Sequence, residues 1–214
     1  MNLFLSSMYF GNSAHKLSKM LTKNKNVAII LNANDYLGDN RTKYYNESKL
    51  ILNNLGLNCT ELDLRNYFKK DPVSLKLKLL NFGLIWVTGG NTFILRRAFY
   101  ESGLDQILPD LLKNKEIIYG GFSAGACVVT PSLKGLEFAD DPNIIPNGYP
   151  NEIIWDGLNL ISFCIVPHFK SEQSEAFGIN KIINFYKEKN IFHHTLNDKS
   201  AILIEDDIEF FYDN

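Results

Sequence analysis

Glu116 to Pro131 reads E-I-I-Y-G-G-F-S-A-G-A-C-V-V-T-P. Its opening run, Ile117-Ile118-Tyr119, is short, apolar and β-prone, which predicts a buried strand. Gly120 to Gly125 then lead into small and apolar residues that suit a short buried helix. Within them Gly121-Phe122-Ser123-Ala124-Gly125 fits G-x-S-x-G, the pattern of a nucleophile elbow. The pattern has a steric reason. A nucleophile held on a sharp strand-to-helix turn takes strained dihedrals, so the residues two before and two after it must be small. The helix that follows points its first N–H groups at the site, where they would stabilise a developing oxyanion. The same letters also describe a Gly-rich βα turn with an N-capping serine. The rest of the chain has to decide between the two.

Working outward, strands and helices alternate. Met1 to Ser6 and Val27 to Leu31 read as strands, the second apolar throughout and so covered on both faces. A helix is expected over Ser13 to Leu21, a polar loop over Asn32 to Asn40, and an amphipathic helix over Thr42 to Leu55 closed by Gly56. Cys59 to Leu64 alternates like a strand. Asp71-Pro72 caps and opens a helix to about Leu80. Leu84 to Val87 is a buried strand, followed by Thr88-Gly89-Gly90-Asn91, a helix to Ser102 and another over Leu104 to Lys113. Beyond the elbow, Lys134 to Trp155 is a long irregular excursion rich in Asp, Asn, Pro and Gly. Leu160 to Val166 is a strand ending at Pro167-His168, Ser171 to Lys189 a helix and Ile191 to Leu196 a strand. Ala201 to Tyr212 forms a hairpin turning near Asp206-Asp207. This alternation predicts a parallel sheet with helices on both faces, in one α/β domain over residues 1–214. Sites in such sheets lie outside the carboxyl ends of the strands. Gly89-Gly90-Asn91, Ser123 and His168 all fall at such ends, which favours an enzyme.

Composition narrows the class. Of 214 residues, 45% are hydrophobic, enough for one well-filled core, and the net charge of −2 comes with no basic cluster. That balance does not suit nucleic acid, whose phosphates need concentrated positive charge. The odd count of cysteines, Cys59, Cys127 and Cys164, points to buried thiols in a reducing compartment. No apolar run is long enough to cross a membrane, and Leu3 to Leu5 is too short for a signal-peptide core. A cytoplasmic protein, monomer or homodimer, is expected.

A serine nucleophile needs a base within hydrogen-bond reach, and the base needs an orienting acid. His168 follows a strand and precedes a helix, so its ring can overhang the sheet edge. His193 and His194, adjacent in one strand, would face opposite sides. The absence of H-E-x-x-H and C-x-x-C patterns gives no reason to invoke a metal. For the acid, Asp198 lies at the carboxyl end of Ile191 to Leu196, and Asp140, in the excursion, is its rival. Either could be an ordinary loop aspartate; Asp198 is favoured. Gly90 and Ala124 could supply the two oxyanion N–H groups, with Gly89 and Asn91 beside the substrate.

Val87-Thr88-Gly89-Gly90-Asn91-Thr92-Phe93, Gly121 to Ala126 and Pro167-His168-Phe169 resemble the three signature segments of the peptidase E family. These are serine peptidases that include α-aspartyl dipeptidase and cyanophycinase. The likeness implies a flavodoxin-like sheet related to class I glutamine amidotransferases, no metal or cofactor, and a short peptide as substrate. By motif match Ser123 is the nucleophile and His168 the base, while the family's acid corresponds to Asp198 or Asp140. One departure stands out. The family's arginine for a substrate aspartate lies beyond the histidine segment, and Ser171 to Lys189 holds no arginine. The chain's arginines are Arg41, Arg65, Arg96 and Arg97. Other readings are an amidase of the glutamine amidotransferase type, disfavoured by serine where those enzymes place cysteine, and a non-catalytic binding or regulatory module.

Overall fold

The computed structural model describes residues 1–21, 24–172, 178–206 and 208–212. Seven strands form the main sheet: β1 (Asn2–Ser6), β2 (Asn26–Ile30), β3 (Asn58–Glu61), β4 (Leu84–Val87), β5 (Ile118–Phe122), β8 (Ala201–Glu205) and β9 (Ile208–Tyr212). Their order is β3-β2-β4-β5-β1-β8-β9. The first five are mutually parallel, and the run β3-β2-β4-β5 has the 2-1-3-4 order of flavodoxin-type sheets. The C-terminal hairpin extends this sheet, β8 running antiparallel to both β1 and β9.

Alternation along the buried strands divides the core. Leu3, Leu5, Ala28, Ile30, Ile85, Val87 and Tyr119 face one side. There they meet α3 (Pro72–Leu79), α4 (Thr92–Ser102) and α5 (Leu104–Lys113) through Leu75, Ile94, Leu108 and their neighbours. Phe4, Val27, Ile29, Leu84, Trp86 and Ile118 face the other side, which α1 (Ala14–Met20) and α2 (Thr42–Asn54) cover with Leu17 and Leu52. Continuous apolar runs are what a sheet covered on both faces requires. The helix that follows β5, α6 (Ala124–Cys127), has four residues.

Several segments differ from the sequence expectation. The polar loop after β2 is a kinked 3₁₀ run, Asn32–Arg41, whose first four residues are buried. Hydrogen bonds offset most of the cost of burying them: Asn32 Nδ2 donates to Asp35 and Asp63, and Asn34 Nδ2 to Gly89 O. The strands read at 160–166 and 191–196 shrink to β6 (Cys164–Val166) and β7 (His193–Thr195), which pair in parallel as a separate two-stranded sheet. Within β7, His194 packs its ring against Phe163, Phe192 and Phe211. The helix expected from Ser171 is described as α7 (Ile179–Glu188); residues 173–177 and the hairpin residue Asp207 lie outside the described residues.

Buried cations on α4 hold the excursion against that helix. Arg97 Nε donates to Glu152 O and its Nη2 to Pro142 O, each at 2.8 Å. Arg96 reaches Asp156 O and Asp105, also at 2.8 Å. A second network joins Arg41 and Arg65 to Asp35, Glu61 and Asp63. Burial pushes the Asp63 carboxyl up, but hydrogen bonds from Arg65 and Asn32 and the Arg65 charge outweigh it and hold the group at about 2. A depressed carboxyl contributes stability that is present above its unfolded value, about 3.9, and lost as pH falls toward the folded one. Asp63 is only partly buried, its side chain 19% exposed, so screening leaves on the order of 1 kcal/mol. Asp63→Asn is therefore expected to flatten the loss of stability between about pH 4 and pH 2. Urea midpoints across that range check this, and an unchanged slope would refute it.

Candidate active site

The register of the parallel strands builds the site. Val87 lies opposite Gly121, and Ser6 opposite Phe122, so the residues after β4, β5 and β1 emerge side by side. Ser123 sits at φ 49°, ψ −114°, a strained turn between β5 and α6. The small residues around it have a measurable reason: a Cβ on Gly121 would stand 2.6 Å from Gly125 O, and one on Gly125 2.4 Å from Val87 O.

His168 follows β6 with φ 58°, and its ring reaches back over the sheet edge. Nε2 lies 3.1 Å from Ser123 Oγ, and Nδ1 lies 2.7 Å from Asp198 Oδ1. A carboxylate only accepts, so the proton on Nδ1 faces Asp198 and leaves Nε2 free to accept from the serine hydroxyl. The structure thus brings Ser123, His168 and Asp198 into one hydrogen-bonded line. Asp140 takes another place. Its Oδ2 accepts from Thr92 N at 2.9 Å and Thr92 Oγ1 at 2.6 Å, at the start of α4. Burial pushes its carboxyl up, while the Thr92 bonds and the neighbouring His168 pull it back.

Gly89-Gly90 stands beside the serine. Gly90 has φ 137°, and a Cβ there would meet Ala33 O and the Asn34 side chain at 2.7 Å. Neither Gly90 N nor Ala124 N finds an acceptor among the described residues. Asn91, expected beside the substrate, lines the cavity, but its side chain is committed to the fold. Its oxygen caps Phe93 N and Ile94 N, both at 3.0 Å, and its amide donates to Asp141 O.

These residues open into a cavity of about 590 Å³. Ser123, His168, Asp140 and Gly90 line it together with Tyr9, Tyr36, Tyr44 and Lys43, which add aromatic surface and a positive charge. None of the four arginines lines it. From the segment after His168, α7 contributes Ile179 and Ile182 to the lining. Lys170 lies over the Phe169 ring at 5.2 Å. Cys127 also borders the cavity, but it is buried at 2% exposure, and that burial pushes its thiol well up. No group of His, Cys, Asp and Glu among the described residues could hold a metal ion, and no described helix is long and apolar enough to cross a membrane.

Three residues of this neighbourhood were not legible beforehand. Asn34, inside the supposed polar loop, ties Gly89 O at 2.6 Å. Lys43 opens an apparently ordinary helix. Ser7 follows β1, and the signal that could have found it is its place at a strand's carboxyl end.

The sequence model of peptidase family S51 matches residues 3–209. The chain belongs to peptidase family S51. An uncharacterized peptidase of Listeria innocua is 32% identical over 165 residues, 77% of this chain and 74% of that one. Peptidase E of Escherichia coli is 31% identical over 133 residues, 62% of this chain but only 51% of its own length. Among solved structures, a peptidase E candidate from Listeria monocytogenes superposes with a TM-score of 0.81 at 26% identity, covering 100% of this chain and 98% of that one. Family S51 makes the protein a serine peptidase, and the match extends across β1 to β9.

Proposed function

We propose that the protein is an exopeptidase for short peptides in which Ser123 attacks, His168 moves the proton and Asp198 orients and charge-stabilises the imidazole. The observation that carries this reading is the unbroken line from Ser123 Oγ through His168 to Asp198 Oδ1, at 3.1 and 2.7 Å. Nε2 takes the hydroxyl proton as Oγ bonds to the scissile carbonyl carbon. The carbonyl oxygen, now an oxyanion, is held by the unengaged N–H groups of Gly90 and Ala124. Collapse expels the amine, which takes the proton from His168, and water then releases the acyl group by the same steps in reverse. An amidase using cysteine is disfavoured, since the Cys127 thiol is buried and aimed at Ile165 O, 3.6 Å away.

The cavity supports the exopeptidase part. Its volume falls within the range for small ligands, ~300–1,000 Å³. Asp140 Oδ1 has no donor among the described residues and suits a substrate ammonium, while Lys43, also in the lining, suits a terminal carboxylate. The decisive experiment is labelling with a fluorophosphonate, followed by peptide mapping. Modification at Ser123 is expected; an unreactive folded protein would favour the binding-module reading.

The same walls argue for relaxed specificity at the first residue. A carboxylate is best held by a guanidinium fork, yet Arg96 and Arg97 are engaged with backbone oxygens of the excursion. Lys43 is 74% exposed and so well screened. We expect kcat/KM for aspartyl, asparaginyl, alanyl and leucyl substrates with one leaving group to lie within roughly 10²-fold, because an unspecialised pocket discriminates weakly. An aspartyl preference of several thousandfold would defeat this.

A further inference from the structure

The nucleophile, the base and the acid come from chain positions far apart, yet all three are hydrogen-bonded to one dipeptide, Ser6-Ser7. Ser123 N donates to Ser6 O at 3.1 Å. His168 N donates to Ser7 Oγ at 2.7 Å. Ser7 Oγ in turn donates to Asp198 Oδ1 at 3.2 Å, the same oxygen that receives His168 Nδ1. Ser7 N reaches Ser200 O at 3.3 Å, fixing the turn that carries Asp198. Ser7 is fully buried.

Each of these bonds answers a specific need. His168 has φ 58°, a left-handed backbone that is strained for a non-glycine residue. In that conformation its N–H is turned toward β1, and the Ser7 hydroxyl satisfies it. Asp198 sits on a loop with its side chain 35% exposed, so packing alone does not lock its rotamer. A hydroxyl has one proton and two lone pairs. At Ser7 it accepts from the base's main chain and donates to the acid, which sets their separation through a single oxygen. β1 can provide this because it lies beside β5 in the sheet, with Ser6 opposite Phe122.

We propose that Ser7 is a positioning residue, whose hydroxyl holds His168 and Asp198 in the geometry that activates Ser123. The proposal rests on the serine-peptidase reading above. Ser7 touches neither the serine hydroxyl nor the cavity, so its removal acts on the chemical step and not on substrate binding.

The test compares wild type with Ser7→Ala and Ser7→Cys. Cysteine fills nearly the same space but is a weak hydrogen-bond former, so it separates packing from hydrogen bonding and serves if the alanine protein does not accumulate in folded form. Misplacing a catalytic group by about 1 Å can cost roughly 10²-fold. The expected result is a fall in kcat of roughly 10- to 10²-fold in both variants, KM unchanged, with the rate of fluorophosphonate labelling at Ser123 reduced in parallel. If wild type labels at Ser123 and either folded variant matches its kcat and labelling rate within about twofold, Ser7 has no positioning role. A rise in KM at constant kcat would overturn it equally. If wild-type protein does not label at all, the nucleophile reading itself has failed, and the role of Ser7 with it.

Discussion

Ser123→Ala is expected to abolish turnover while leaving the fold in place. The substitution deletes one oxygen from a turn already built for small side chains, between Gly121 and Gly125. Alanine meets the strained φ of 49° no worse than serine does, and the main-chain bond from residue 123 to Ser6 O is kept. The lost side-chain contact, 3.1 Å to His168, is one ordinary hydrogen bond, so the stability change stays near 1 kcal/mol. Activity responds on another scale, because nothing else within the cavity can form the acyl intermediate. In triad hydrolases the loss of the nucleophile lowers kcat by about six powers of ten. A variant with the wild-type melting temperature and wild-type hydrolysis would end the serine-peptidase assignment for this site.

What could be read in advance followed from local chemistry. G-x-S-x-G between an apolar run and small residues pointed to a strand-turn-helix, and β5 and α6 flank Ser123 in that way, with the close approaches at Gly121 and Gly125 that exclude larger residues. Continuous apolar runs such as Val27 to Leu31 predicted a sheet covered on both faces, and β2 is buried accordingly from Val27 to Ile30. The failures were of a different kind. Asn32 to Asp35 look like loop residues because their polarity is visible and their partners, Asp63, Thr88 and Gly89, lie far along the chain. Likewise β6 and β7 have strand-like sequences, yet nothing local says that they pair only with each other. Ser7 was missed because its meaning depends on strand order. Only when β1 is inserted next to β5 does its carboxyl end face the elbow. Non-local pairing is the information that periodicity does not carry.

The second large effect is expected at the acid, where the two candidates part. Asp198→Asn should lower kcat steeply with little change in KM. If the new amide turns an N–H toward His168 Nδ1, the ring must carry its proton on Nε2 and can no longer accept from Ser123. If it turns its oxygen instead, the tautomer survives, but a neutral group no longer stabilises the imidazolium formed in the transition state. Either way the loss falls on the chemical step, and the corresponding change in a protease triad costs about 10⁴-fold in kcat. Asp140→Asn keeps an oxygen for Thr92 N and Thr92 Oγ1, so the start of α4 remains capped. What it removes is a negative charge on the cavity wall, facing the place proposed for the substrate ammonium. Its signature should therefore be a raised KM, by roughly 10- to 10²-fold given about 1.5–3 kcal/mol for a charged hydrogen bond, with kcat within a few-fold of wild type. A pair of variants in which Asp140→Asn loses kcat and Asp198→Asn does not would transfer the role of the third residue to Asp140. The 2.7 Å contact between His168 and Asp198 would then be a structural ion pair.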